Sequence, residues 1–195
     1  QGYWKETTET LALVLASTFV SMVIGIPLGI AAARRAWIYA AMRPVLDLMQ
    51  TIPTFVYLIP ALILFGLGMV PGLIATVIFA IPAPIRLTRL GIISTPPSLV
   101  EAAVAFGATP IQVLRKIELP FATPQIMAGL TQTIMLSLSM VVIAALVGAP
   151  GLGVPVVRAL NTVNIAKGFE AGFCIVILAI ILDRMFRTAG EGGGA

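Results

Sequence analysis

The chain has 195 residues, of which 59% are hydrophobic and only 10% charged, and its mean hydropathy is +1.06; this is too apolar for a water-soluble domain and marks a membrane protein. A net charge of +4 spread so thinly argues against a nucleic-acid surface and for a topology signal. The absence of histidine removes the commonest general base and transition-metal ligand, and the single cysteine, Cys174, excludes an internal disulfide framework and reads as an inert packing residue. The chain opens on Gln1 without a basic-then-apolar leader, which points to a processed or incomplete N-terminus. The closing EGGGA reads as a flexible tail.

Taken in chain order, uncharged runs of about 20 residues are the primary signal of bilayer-crossing helices. Residues 11–33 form the first, ended by Arg34 and Arg35. It contains GIPLG, in which Gly25 and Gly29 flank Pro27, a pattern that permits close helix approach and a kink. The apolar run between Asp47 and Arg86 is too long for one crossing, and FGLGMVPG turns it back, giving spans 48–65 and 69–85. Pro53, Pro60, Pro71, Pro82 and Pro84 interrupt these two. Such breaks suit a bundle that lines a pathway and moves, and they are also ordinary in membrane helices. A fourth span, 123–147, is closed by GAPGLGVP, and a fifth, 167–185, centres on FCIVILAIIL between Glu170 and Asp183. The expectation is an all-α integral membrane fold with about five transmembrane helices in one domain, 1–195.

Loop charge decides orientation. The loops after spans one, three and five hold Arg34, Arg35, Arg43, Arg86, Arg89, Arg115, Lys116, Arg184 and Arg187; the other side holds Lys5, Arg158 and Lys167. The first set is therefore predicted to be cytoplasmic, with the N-terminus outside and the C-terminus inside. Tyr3 and Trp4 on one side, and Trp37 and Tyr39 on the other, fall where interfacial aromatics are expected.

The segment 94–120 stands apart. Ser98 and Glu101 form the Ser-x-x-Glu pattern of a capping box, and Gly107 supplies a left-handed stop. Thr109, Pro110 and Gln112 repeat the start signal, and Leu119-Pro120 ends the second helix. The result is a helical hairpin on the cytoplasmic side, whose first helix carries Leu99, Val100, Ala102, Ala103 and Phe106 and is too apolar to stand in water without a partner. On physical grounds alone Glu101 is a cap and Gly107 a turn residue.

Glu101, Ala102 and Ala103, three residues, Gly107, nine residues, and then Ile117-x-Leu119-Pro120 resemble in full the EAA loop of ATP-binding-cassette importer permeases. Residues 46–92, 132–153 and 176–184 are similar to the permease subunits of glycine betaine/proline betaine importers, and the likeness covers most of the chain. The resemblance implies a type I ABC importer permease fold and a cytoplasmic coupling hairpin that docks on an ABC ATPase. It also implies a complex of two permeases and two ATPases with an extracytoplasmic substrate-binding protein, importing compatible solutes. Related members carry choline, carnitine or amino acids. The ATPase-coupling residues would be Glu101, Ala102, Ala103, Gly107, Ile117, Leu119 and Pro120. The chain has no G-x-x-x-x-G-K-[ST], so ATP and magnesium belong to the partner and no catalytic, cofactor or metal residue is expected here.

For the passage itself, Phe55 and Tyr57 are candidates to meet a quaternary ammonium solute through cation–π attraction, or to serve as packing. Gln132, Thr133, Ser137 and Ser139 could line a passage or bond helix to helix, with Met140 beside them as a gate. A self-contained secondary transporter or channel is disfavoured because Asp47, Glu170 and Asp183 lie near span ends. An intramembrane enzyme lacks any nucleophile–base or paired-carboxylate motif.

Overall fold

The structure is a computed structural model that describes residues 2–191, with side chains described through residue 186. Gln1, most of the expected tail and the side chain of Arg187 lie outside the described residues. Every regular element among them is helical.

Helix α1, Trp4–Arg34, begins seven residues before the apolar run and carries Pro27 inside it. The two glycines of GIPLG do bring helices together. A Cβ on Gly25 would lie 2.7 Å from Pro84 Cγ, and one on Gly29 would lie 2.7 Å from Thr88 Cβ and 2.8 Å from the Ile85 carbonyl oxygen. The small-residue face of α1 is therefore in backbone contact range of helix α5, Pro82–Ile93.

Residues 48–65, expected as one span, are not one helix. Helix α2, Ala36–Thr51, and helix α3, Phe55–Phe65, meet at 90°. The cause is Pro53, which drives the preceding residue out of the helical region; Ile52 sits at φ −70°, ψ 133°. The stretch after span one is likewise a helix rather than a loop. Gly66 and Gly68, at φ 74° and 142°, make the turn into α4, Met69–Ala80. From Met69 the helical run continues through α5 to Ile93, because Pro82 and Pro84 fall in a first turn, where missing N–H groups cost least.

Helix α6, Pro97–Ala105, and the short α7, Pro110–Val113, form the hairpin. The hairpin's second helix does not stop at Leu119-Pro120 as expected; it passes through a π-turn, Leu114–Glu118, into α8, Leu119–Leu146. The breaker cluster GAPGLGVP also hides an element: after Gly148 and Gly151, at φ 84° and 128°, Gly153–Asn161 is helix α9. Pro155 lies in its first turn, so the residue that looked like a breaker is tolerated. Helix α10, Ile165–Glu191, is the last element of the described residues.

Helix α8 is the hub, packed on α1, α4, α5, α9 and α10. One core joins Leu13 and Val14 to Ile134, Leu138, Val141 and Ala144 of α8 and to Leu178 and Leu182 of α10. A second joins Leu58, Ala75, Met140 and Val147. Cys174 is half-buried against the first core, in keeping with a packing role.

At the end remote from the hairpin, α1 is tied to the loop before α9. The Leu152 amide donates to Thr10 Oγ1 at 2.8 Å, and both residues are fully buried. Losing a buried acceptor leaves that amide unpaired at a cost of about 1–3 kcal/mol. Thr10→Val is therefore expected to lower thermal stability and to speed hydrogen exchange at Leu152; unchanged exchange there would contradict the tie.

Candidate functional site

The hairpin is built from local rules. Gly107 lies at φ 81°, in the left-handed region, and its amide donates to the Val104 carbonyl at 2.9 Å while Ala108 donates to Ala103 at 3.0 Å, closing α6. The capping box predicted at Thr109 is formed: Gln112 donates its amide to Thr109 Oγ1 at 3.4 Å, and the Thr109 amide donates to Gln112 Oε1 at 2.8 Å. The one predicted at Ser98 and Glu101 is not. Pro96 is the cap residue and Pro97 opens the helix, which moves Ser98 inside the first turn and leaves Glu101 exposed without a capping bond.

Within the hairpin, Ala103, Gly107 and Ile117 come together with Phe106, Ala108, Gln112 and Lys116 around a cleft of about 370 Å³. Three of the seven residues expected at the coupling surface thus share one concave patch. Glu101 and Ala102 are exposed on α6 outside it, and Leu119 and Pro120 follow the π-turn. Helix α6 packs chiefly on α7 and the π-turn, so its Leu99, Val104 and Phe106 remain exposed, Phe106 by 93%.

Pro120 explains the π-turn. It has no N–H to give the Lys116 carbonyl, and its ring would crowd that oxygen in a regular helix. The chain widens by one residue instead, and the Leu119 amide donates to Leu114, five residues back. Pro120 was read as a stop; it is a widening that lets helix pass into helix.

Arg34, at the C-terminus of α1, reaches this region. Its Nη2 donates to the Pro110 carbonyl at 2.7 Å and to Glu118 Oε2 at 3.4 Å. Nothing in the sequence pattern pairs residues so far apart. Nearby charges are organised similarly: Arg86 donates to Asp47 at 2.6 Å, Arg43 lies 3.9 Å from the same carboxylate, and the Arg89 guanidinium lies 3.6 Å above the Tyr39 ring. Arg34, Arg43, Arg86 and Arg89 are thus held by contacts with the hairpin or among α2 and α5.

The candidate passage residues divide into two stripes on α8. Thr133, Ser137 and Met140, at helical spacing, are buried. The Thr133 hydroxyl donates to Gly129 at 2.7 Å, Ser17 donates to Ser137 across α1 and α8 at 3.2 Å, and Met140 packs with Leu58 in a core that Tyr57 also touches. Gln132 and Ser139, seven residues apart, form an exposed stripe. Ser139 donates back to Met135 at 3.0 Å. Phe55 is exposed by 48%, and the hydroxyl of Tyr57 is buried without a hydrogen-bond partner. Thus Tyr57 and Met140 are brought together, whereas Gln132 and Ser139 lie on a different face. No group of His, Cys, Asp or Glu that could hold a metal occurs among the described residues.

Apolar helices of membrane-crossing length around a central α8, with a helical hairpin displayed beyond them, define a multi-pass membrane protein. The chain belongs to the family of binding-protein-dependent transport system inner membrane components, which it matches over residues 25–188. It is 54% identical to the glycine betaine transport system permease protein OpuAB of Bacillus subtilis (strain 168), over 94% of this chain and 65% of that protein. It is 51% identical to the glycine betaine/proline betaine transport system permease protein ProW of Escherichia coli (strain K12), over 97% of this chain and 54% of ProW. The chain therefore spans between about half and two thirds of the length of these relatives. Its fold matches the solved inward-facing MetNI methionine ABC transporter with a TM-score of 0.80 at 25% identity, over 96% of this chain and 92% of that one. The resemblance and the importer-permease fold expected from the sequence both hold.

Proposed function

We propose that this chain is the membrane-spanning permease subunit of an ATP-driven importer of compatible solutes, glycine betaine and proline betaine foremost. The observation that carries the reading is the hairpin: Ala103, Gly107 and Ile117 line one cleft beside an uncovered Phe106, on helices that pack mainly on one another. Apolar surface displayed in this way needs a partner, and a cytoplasmic ABC ATPase dimer, holding ATP and magnesium, is the partner that the family offers.

The remaining assignments rest on the same reading. Glu101, Ala102, Leu119 and Pro120 complete the docking surface. The hairpin end is cytoplasmic and the N-terminus outside, an orientation that the gathered arginines support. An extracytoplasmic binding protein delivers the solute to the opposite end. Gln132 is exposed within an apolar helix, where contact with lipid is costly; a second copy of the permease covers that stripe. Tyr57 and Met140 border the passage, and Phe55 supports it. ATP-driven closure of the ATPase dimer draws two docked hairpins together and opens the bundles outward; hydrolysis resets them. Each state persists only through contacts the other lacks.

The deciding experiment is uptake of labelled glycine betaine, choline, carnitine and proline into vesicles containing the full complex. Uptake of glycine betaine that needs ATP and the binding protein is expected. Uptake that follows an ion gradient without the ATPase overturns the reading, and a preference for choline, carnitine or proline reassigns the substrate.

A further inference from the structure

We infer that Arg34 is a positioning residue that fixes the direction of the docking hairpin against the first span. The inference rests on the transport reading above and concerns how motion of the hairpin is passed to α1.

The geometry is specific. Pro110 is the first residue of α7, and Glu118 is the last of the π-turn, so the two acceptors of Arg34 bracket the second hairpin helix. The Pro110 carbonyl also accepts the Leu114 amide, and with two lone pairs it serves both donors. One guanidinium therefore grips the start and the end of the segment that carries Gln112, Lys116 and Ile117 of the cleft. Both bonds leave one nitrogen, Nη2, whose two protons are held in the plane of the guanidinium; a Lys ammonium is a point charge on a mobile stem and does not fix that direction. The π-turn makes the grip necessary. Its five-residue turn is wider and less regular than the helix on either side, leaving the hairpin free to pivot relative to α8. Contacts from the end of α1 to Pro110, ahead of the turn, and to Glu118, its last residue, oppose that freedom. The guanidinium also sits at the C-terminal end of α1, where a cation is favoured.

The side chains of Arg34 and Glu118 are 35% and 16% exposed. A partly exposed pair of this kind adds little to stability, but two simultaneous contacts still set an angle. The consequence is separable from folding: loss of Arg34 should leave the complex assembled and able to hydrolyse ATP while less of that hydrolysis moves solute.

The test uses the full complex in vesicles, with spin labels at Ala33→Cys on α1 and Ile111→Cys on the hairpin in a Cys174→Ser background. For Arg34→Ala, a broadened label-to-label distance is expected, with solute moved per ATP reduced about 5- to 10-fold, the scale of typical coupling between sites. The apparent KM for the solute-loaded binding protein should be unchanged. Glu118→Gln keeps the Pro110 contact and should show a smaller change in both readouts; Arg34→Lys should fall between wild type and Arg34→Ala. An unbroadened distance in Arg34→Ala overturns the inference, as does a wild-type ratio of solute to ATP despite broadening. If Arg34→Ala does not assemble, Glu118→Gln and Arg34→Lys decide on the same two readouts, and no change in either variant overturns it. A wild-type complex with no ATP-driven uptake overturns the transport reading instead, and the distance measurement still judges Arg34.

Discussion

Gly29→Leu is expected to abolish the folded bundle. A Cβ at this position already lies 2.7 Å from Thr88 Cβ and 2.8 Å from the Ile85 carbonyl oxygen, closer than atoms can pack, and the second of these is backbone that cannot rotate away. Gly29→Ala alone forces α1 and α5 apart at a cost of about 1–3 kcal/mol, the range of overpacked cores. A leucine adds three more carbons to the same gap. Since α1 also packs on α8 and α4, separation from α5 disturbs the contacts of the hub. Thermal unfolding in detergent should show a lower midpoint for Gly29→Ala and no cooperative transition for Gly29→Leu. A wild-type midpoint in Gly29→Leu would mean that the close approach of α1 and α5 is wrong.

Gly107→Val is expected to fail differently, leaving the bundle intact and ATP-driven uptake about 5- to 30-fold lower. A Cβ on Gly107 would meet nothing within 4 Å, so the chain itself has room for a side chain, but the residue lies at φ 81°. A β-branched residue is strained there by about 1–2 kcal/mol, and about 1.4 kcal/mol is a factor of ten in an equilibrium. The penalty falls on the turn that shapes the cleft rather than on the core. Gly107→Asn separates the two possible causes, because asparagine tolerates the left-handed conformation. If backbone strain dominates, Gly107→Asn retains most of the uptake. If it is as impaired as Gly107→Val, the side chain itself blocks docking. Full uptake in Gly107→Val would remove Gly107 from the coupling surface.

Much of the architecture was readable because bilayer-length apolar runs and cap residues act locally. Thr109, Pro110 and Gln112 began α7 as their spacing required, and Gly107 took the left-handed conformation. Local rules misled where two of them competed. Ser98 could cap a helix, but Pro97 beside it is the better first helical residue, so the helix began earlier and the Ser98–Glu101 box did not form. Pro120 could end a helix or be absorbed by a wider turn; packing of α8 into the bundle favoured absorption. Pro53 broke a run whose hydropathy was continuous. At the site, the cleft was implicit in the motif because Ala103, Gly107 and Ile117 belong to one hairpin. The contacts of Arg34 with Pro110 and Glu118, or of Ser17 with Ser137, join residues more than 70 positions apart. No periodicity records such pairs; they depend on which helices the glycines let approach.

The helical run from Pro110 to Leu146 has 37 residues, roughly 55 Å of rod at 1.5 Å per residue. A hydrocarbon core is only about 30 Å thick, so a large part of this rod projects beyond the lipid as a handle on the segment buried among the other helices. A lever of that kind has its fulcrum inside the membrane. Tilt imposed at Gln112 reaches Met140 through the π-turn that Arg34 braces rather than through a loop, and a small rotation in the interior is read out as a larger sweep at the projecting end.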